Sequence, residues 1–82
     1  MKESDRNLLT AAVEVDLELL TSAIRDGADI NVMDREGYTA LHLAVVWKHF
    51  ETCNLLLAEG ADPNIVNRHG NGPLWAAVLA AR

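Results

Sequence analysis

GYTALHLAVVWKHFETCNLLLAEGADPN, residues 37–64, holds two of the chain's three histidines and its only cysteine, with His49 and Cys53 four positions apart. Two roles compete for these residues: a small reactive or metal-binding site, or a framework that holds the chain together. What lies on either side of the stretch decides between them.

Working outward, the stretch is one period of a repeat. Gly27-Ala28-Asp29-Ile30-Asn31 returns 33 residues later as Gly60-Ala61-Asp62-Pro63-Asn64, and Asp34-Arg35-Glu36-Gly37 returns at the same offset as Asn67-Arg68-His69-Gly70. Along that offset Leu41 matches Leu8 and Leu74, Ala44 matches Ala11 and Ala77, and Glu51 matches Glu18. Three copies are visible, the last one short. A fixed period of this length is the signature of stacked supersecondary units, each unable to bury its apolar face alone.

Local structure follows from the same residues. Leu41, Ala44 and Val45 fall at helical spacing within Ala40 to Trp47 and form an apolar stripe. Thr39 precedes them, with a hydroxyl able to accept from an early helical amide. A second helix runs from about Phe50 to Leu57, with Cys53, Leu56 and Leu57 on one stripe and Gly60 where a left-handed cap is wanted. Asp62, Pro63, Asn64, Asn67 and Gly70 then make a turn-rich loop whose short side chains bond back to its own amides.

DREGYTALHLAVVWKHFETCNLLLAEGADPN, residues 34–64, resembles the ankyrin-repeat family, and the resemblance extends over essentially the whole chain. It implies an all-α solenoid of antiparallel helix pairs with hairpin-like loops projecting as fingers. Residues 1–33 resemble an N-terminal capping repeat, 34–66 a full repeat and 67–82 the first part of another. Two departures matter. Where the family writes T-P-L-H, Thr39-Ala40-Leu41-His42 keeps the threonine and histidine, but Gly72-Pro73-Leu74-Trp75 loses both. Where the family commonly places a glycine between the paired helices, this chain has Val15 and Lys48. A β-branched residue is costly in a left-handed conformation, so a different inter-helix turn is expected in the first repeat.

The resemblance implies framework roles for the residues that first suggested chemistry. His42 is expected to bond to Thr39 and to neighbouring loop backbone, and His49 to link adjacent repeats. Cys53 aligns with Leu20 at a core position, where a free cysteine behaves as a small hydrophobe. A Cys-His nucleophile would need exposure, an orienting third group and an oxyanion site, and none is signalled. His42, His49, Cys53 and His69 are not spaced as zinc ligands, and there is no phosphate-cradling loop motif. No catalytic, cofactor or metal site is expected.

Composition narrows the partners. The chain has 82 residues and a net charge of −5, with its acidic residues spread out, so it lacks the concentrated basic patch that nucleic acid requires. No apolar run approaches a membrane span, and MKESDRNLL has no signal-peptide core, so a cytoplasmic setting without membrane contact is expected. What remains is protein binding. In the family, binding is implied at the finger tips and along the first helix of each pair. Carried across, this points to Met33, Arg35, Glu36 and Tyr38 in one finger, Val46 and Trp47 on the helix, and Val66, Arg68, His69 and Asn71 in the next finger. Trp47, read as lying beside Tyr38 and flanking arginines, has the composition of an interface hot spot. Its alternative is to pack on the neighbouring repeat. A small inhibitor of one enzyme or toxin, and a piece that self-associates through Trp75, Val78 and Leu79 of an uncovered last helix, are the other readings.

Overall fold

The structure, a computed structural model, describes residues 1–72; the helix expected from Pro73 and the apolar residues Trp75, Val78 and Leu79 lie outside the described residues. Residues 1–72 form four helices and no strand: α1 (Glu3–Glu14), α2 (Leu17–Arg25), α3 (Ala40–Val46) and α4 (Phe50–Ala58). α1 packs on α2, α3 on α4 and α1 on α3, which gives two antiparallel pairs joined through their first helices.

α3 has only seven residues, too few to persist alone, so its ends must be held. The Thr39 hydroxyl accepts from the His42 amide at 3.3 Å, and His42 Nδ1 accepts from the Thr39 amide at 3.1 Å. This is a capping box in which histidine replaces the usual Glu or Gln. Trp47 closes the helix rather than continuing it, with φ −89° and ψ 4°. α1 begins a turn earlier than the repeat offset predicts, because Arg6 stands where the second repeat has Thr39 and offers no cap. Its extra turn is tied to the following loop instead: Asp5 Oδ1 accepts from the Asp29 amide and Lys2 Nζ donates to the Gly27 carbonyl, both at 2.8 Å.

The turns between paired helices correct the expectation about Val15. Val15 (φ 56°) and Lys48 (φ 60°) are both left-handed, so the two repeats use the same turn. Asp16 N–H donates to the Ala11 carbonyl at 3.2 Å and His49 N–H to the Ala44 carbonyl at 2.8 Å. Each bond spans five residues and gives the first amide beyond the left-handed residue a carbonyl partner, and it forms only when the intervening residue is left-handed. That gain outweighs a strain of about 1–2 kcal/mol at a non-glycine residue. Ala28 to Ala23 and Ala61 to Leu56 close the second helices in the same way, with Gly27 and Gly60 left-handed.

Alanine and leucine at repeat-equivalent positions fill the core: Leu8 with Leu41, Ala11 with Ala44, and Ala28 with Ala61. The second helices differ in which positions carry the large side chain. The first repeat buries Leu20 and Ala23, whereas the second buries Cys53 and Leu56 at the equivalent positions. The large side chain has moved one turn along the helix and the small one has moved back, so total volume is nearly kept. Leu8, Leu20 and Leu56 are fully buried, and each contributes about 1.5–3 kcal/mol of transfer free energy.

Candidate protein-binding surface

Loop chemistry builds the fingers. Asp34 Oδ1 accepts from the amides of Glu36 (2.9 Å) and Tyr38 (3.0 Å), and Asn67 Oδ1 accepts from those of His69 (2.9 Å) and Asn71 (3.1 Å). Each loop is closed further by its own backbone, Asp34 N–H to the Tyr38 carbonyl and Asn67 N–H to the Asn71 carbonyl, both at 2.9 Å. The fingers are then joined: Arg68 N–H donates to the Glu36 carbonyl at 2.9 Å. A lower tie runs between the preceding loops, where Asn31 Oδ1 accepts from the Asp62 amide at 2.8 Å.

The histidines complete this framework as expected. His42 is 1 % exposed and spans two repeats, with Nδ1 on Thr39 and Nε2 2.9 Å from the Asn71 carbonyl. Because a carbonyl only accepts, Nε2 carries the hydrogen in this bond. His49 Nδ1 lies 3.0 Å from the Ala12 carbonyl, stitching the turn after α3 to the end of α1. Cys53 is a free, buried thiol, and burial raises its pKa, the backbone hydrogen bond lowering it by less. Its thiolate is therefore disfavoured, the opposite of an activated nucleophile. Among the described residues no group of three or more His, Cys, Asp or Glu is arranged to hold a metal ion. No described helix is long and apolar enough to cross a membrane.

Once these groups are assigned, the expected binding residues can be placed. Met33, Arg35, Glu36, Val66, Arg68 and His69 are exposed on the fingers, and Val46 and Trp47 are exposed at the far end of α3. Tyr38 and Asn71 are half-buried instead. The Tyr38 ring stands edge-on to His42, centroids 5.6 Å apart and planes at 84°, so it shields the cap while showing one side to solvent. Trp47 is not beside Tyr38. The two flank opposite ends of α3, separated by a helix on the order of 10 Å long. Trp47 itself is 58 % exposed.

A shallow groove runs between the first helices of the two pairs, lined by Leu9, Thr10, Val13 and Glu14 of α1, Leu43 of α3 and Asp34 of the finger. None of these six was among the residues expected at the surface. Their signal was present in the sequence: Thr10 and Val13 are the repeat equivalents of Leu43 and Val46. A helix-face position named in one repeat implies its partner in the other.

Comparison with known proteins agrees with this geometry. Residues 3–82 match the family model described as ankyrin repeats, in three copies. Among curated proteins the chain is similar to protein phosphatase 1 regulatory subunit 12A of Mus musculus and of Rattus norvegicus, 36 % identical over 56 residues in each case. That alignment takes in 68 % of this chain but only 5 % of either relative, so the shared part is a small piece of a much longer protein. Repeats of this kind generally act as protein-interaction modules. The repeat offset, the capped helix pairs with their stitched fingers and the family match all lead to one conclusion, that the chain belongs to the ankyrin-repeat family.

Proposed function

We propose that the chain is a non-catalytic module that binds another protein through its finger tips and the face of its first helices. Its units are the repeats 1–33, 34–66 and 67–82. One observation carries the reading. The side chains that first suggested chemistry are held by the framework, His42, His49, Asp34 and Asn67 by hydrogen bonds and Cys53 by burial, while His69 stays exposed on its finger. Two pairs of exposed finger residues share repeat positions and are apolar or arginine, Met33 with Val66 and Arg35 with Arg68, and Trp47 is exposed at the end of α3. That composition suits an interface core with arginine anchors.

The relatives' printed name, a regulatory subunit, favours one refinement. The chain would act by altering or blocking the activity of the protein it holds, which includes the inhibitor reading, in a cytoplasmic setting and without a cofactor. Co-purification of the tagged chain followed by binding measurements on Arg35→Ala/Arg68→Ala and on Val46→Ala/Trp47→Ala tests the surface. Loss of partner binding of at least tenfold in either variant, at unchanged helicity, is the expected result. A partner held equally well by both variants would place binding elsewhere and refute the reading.

A further inference from the structure

The inter-helix turns, at the edge of the stack away from the fingers, carry more exposed apolar surface than the framework needs. Trp47 is 58 % exposed, Phe50 64 %, Val46 47 %, Val15 46 % and Val13 37 %. Val13 lies in the last turn of α1 and Val46 ends α3, Val15 and Trp47 cap them, and Phe50 opens α4. The two turns are held side by side, because His49 from one reaches the Ala12 carbonyl beside the other at 3.0 Å. An exposed apolar cluster with two aromatics on one edge of a small domain marks an interaction site more often than it marks chance. Phe50 is the clearest member. Its repeat equivalent, Leu17, is packed against the core, whereas Phe50 is left in solvent.

Charge selects the occupant. The charged side chains of these turns and of the helix starts beside them are Glu14, Asp16, Glu18 and Glu51, against one cation, Lys48. All five are exposed. A second copy of the chain would bring this acidic rim against its own like charges, at a net charge of −5 per copy. An anionic lipid surface would be repelled for the same reason. The complementary ligand is a protein segment with apolar anchors flanked by lysine or arginine, and an amphipathic basic helix presents both on one face.

We infer that the turn edge formed by Val13, Val15, Val46, Trp47 and Phe50 is a docking surface for a basic amphipathic helix of a protein partner. The inference rests on the protein-binding reading and adds a second surface to it, with a partner of stated chemistry. Trp47 then serves the edge more than the groove, and a ligand held there would leave the finger tips free.

The test is a titration of the 15N-labelled chain with a 14-residue amphipathic Leu/Lys peptide and, separately, with its Leu/Glu counterpart, read from amide and indole shifts. The Leu/Lys peptide should move residues 13–16 and 46–51 saturably, and the Leu/Glu peptide should leave them unmoved. Phe50→Ser/Trp47→Ser, folded by circular dichroism, should bind the Leu/Lys peptide at least tenfold more weakly. Phe50→Ser alone should lose binding in part, which keeps the test valid if the double variant unfolds. Shifts spread to acidic residues on other faces, such as Asp26, Glu59 and Asp62, would mean undirected charge attraction and overturn the inference. So would equal response to both peptides, no response, or edge shifts that depend on protein concentration alone. Shifts confined to Arg35, Arg68 and their fingers would overturn the edge while leaving the proposed function standing.

Discussion

Replacing Gly37 with alanine should cost far more stability than replacing Gly70, although the two occupy equivalent positions with nearly the same backbone. Gly37 has φ +82° and Gly70 φ +79°, so an alanine at either site bears the same left-handed strain, about 1–2 kcal/mol. Their surroundings differ. A Cβ on Gly37 would lie 2.9 Å from the Arg68 backbone nitrogen and 3.0 Å from Asn67 Cα, while a Cβ on Gly70 meets nothing within 4 Å. The contact at Gly37 is backbone, so one finger must move away from the other. That movement stretches the Arg68 to Glu36 hydrogen bond, now 2.9 Å, whose loss costs about 0.5–1.5 kcal/mol. Overpacking adds about 1–3 kcal/mol. The expected losses are therefore about 1–2 kcal/mol for Gly70→Ala and about 3–6 kcal/mol for Gly37→Ala. Urea unfolding followed by circular dichroism reads both, and the midpoint for Gly37→Ala should fall about 1–2 M below that for Gly70→Ala. Equal losses would show that the fingers are not pressed together at Gly37, and the account of how they are stitched would fail.

Three further outcomes are expected. Thr52 is 1 % exposed and its hydroxyl has no hydrogen-bond partner, so Thr52→Val, nearly the same shape, should stabilise by about 1–2 kcal/mol and raise Tm by several degrees; a drop in Tm would reveal a bonded hydroxyl. Val15→Gly should relieve the left-handed strain and gain up to about 1 kcal/mol, whereas Val13→Gly, inside α1, should lose about as much; a loss in both would mean that the Val15 side chain outweighs its backbone. The Cys53 thiol holds its proton more tightly folded than unfolded, so its contribution is fully present below the ordinary thiol value of 9.0 and is lost as pH rises through the raised folded value. Chemical denaturation at pH 7 and pH 10 should therefore show a larger fall for the native chain than for Cys53→Ala, and equal falls would contradict a buried thiol.

Much of this architecture is legible in the residues because it depends on local chemistry repeated at a fixed offset. Thr39 with His42, Gly60 after α4, and Asp34 and Asn67 in the loops each act within a few positions of where they stand. The histidine roles follow from the family pattern, and the structure places His42 toward the following unit at Asn71 and His49 toward the preceding one at Ala12. Val15 escaped the reading for a physical reason: its propensity argues against a left-handed backbone, but the Asp16 amide reaches the Ala11 carbonyl only if Val15 adopts one. The early start of α1 escaped because its anchors, Lys2 and Asp5, bond to residues more than twenty positions away. Trp47 and Tyr38 were paired from composition, and only the helix between them shows that a single hot spot cannot contain both. The groove residues Leu9, Thr10 and Val13 look like ordinary helix positions until α3 is packed beside α1.

The exchange of Leu20 and Ala23 for Cys53 and Leu56 constrains how such an array can be rearranged. A hybrid helix joined between those two positions would inherit either two large side chains or two small ones, and the seam would be jammed or hollow. Exchange of whole units through the glycine-containing loops moves each large residue together with its small companion. Lengthening by duplication, domestication as a designed binder and natural shuffling should therefore all succeed at the fingers and fail within the second helices. The loops proposed to present the binding surface are also the places where the chain should be cut and rejoined without disturbing its interior.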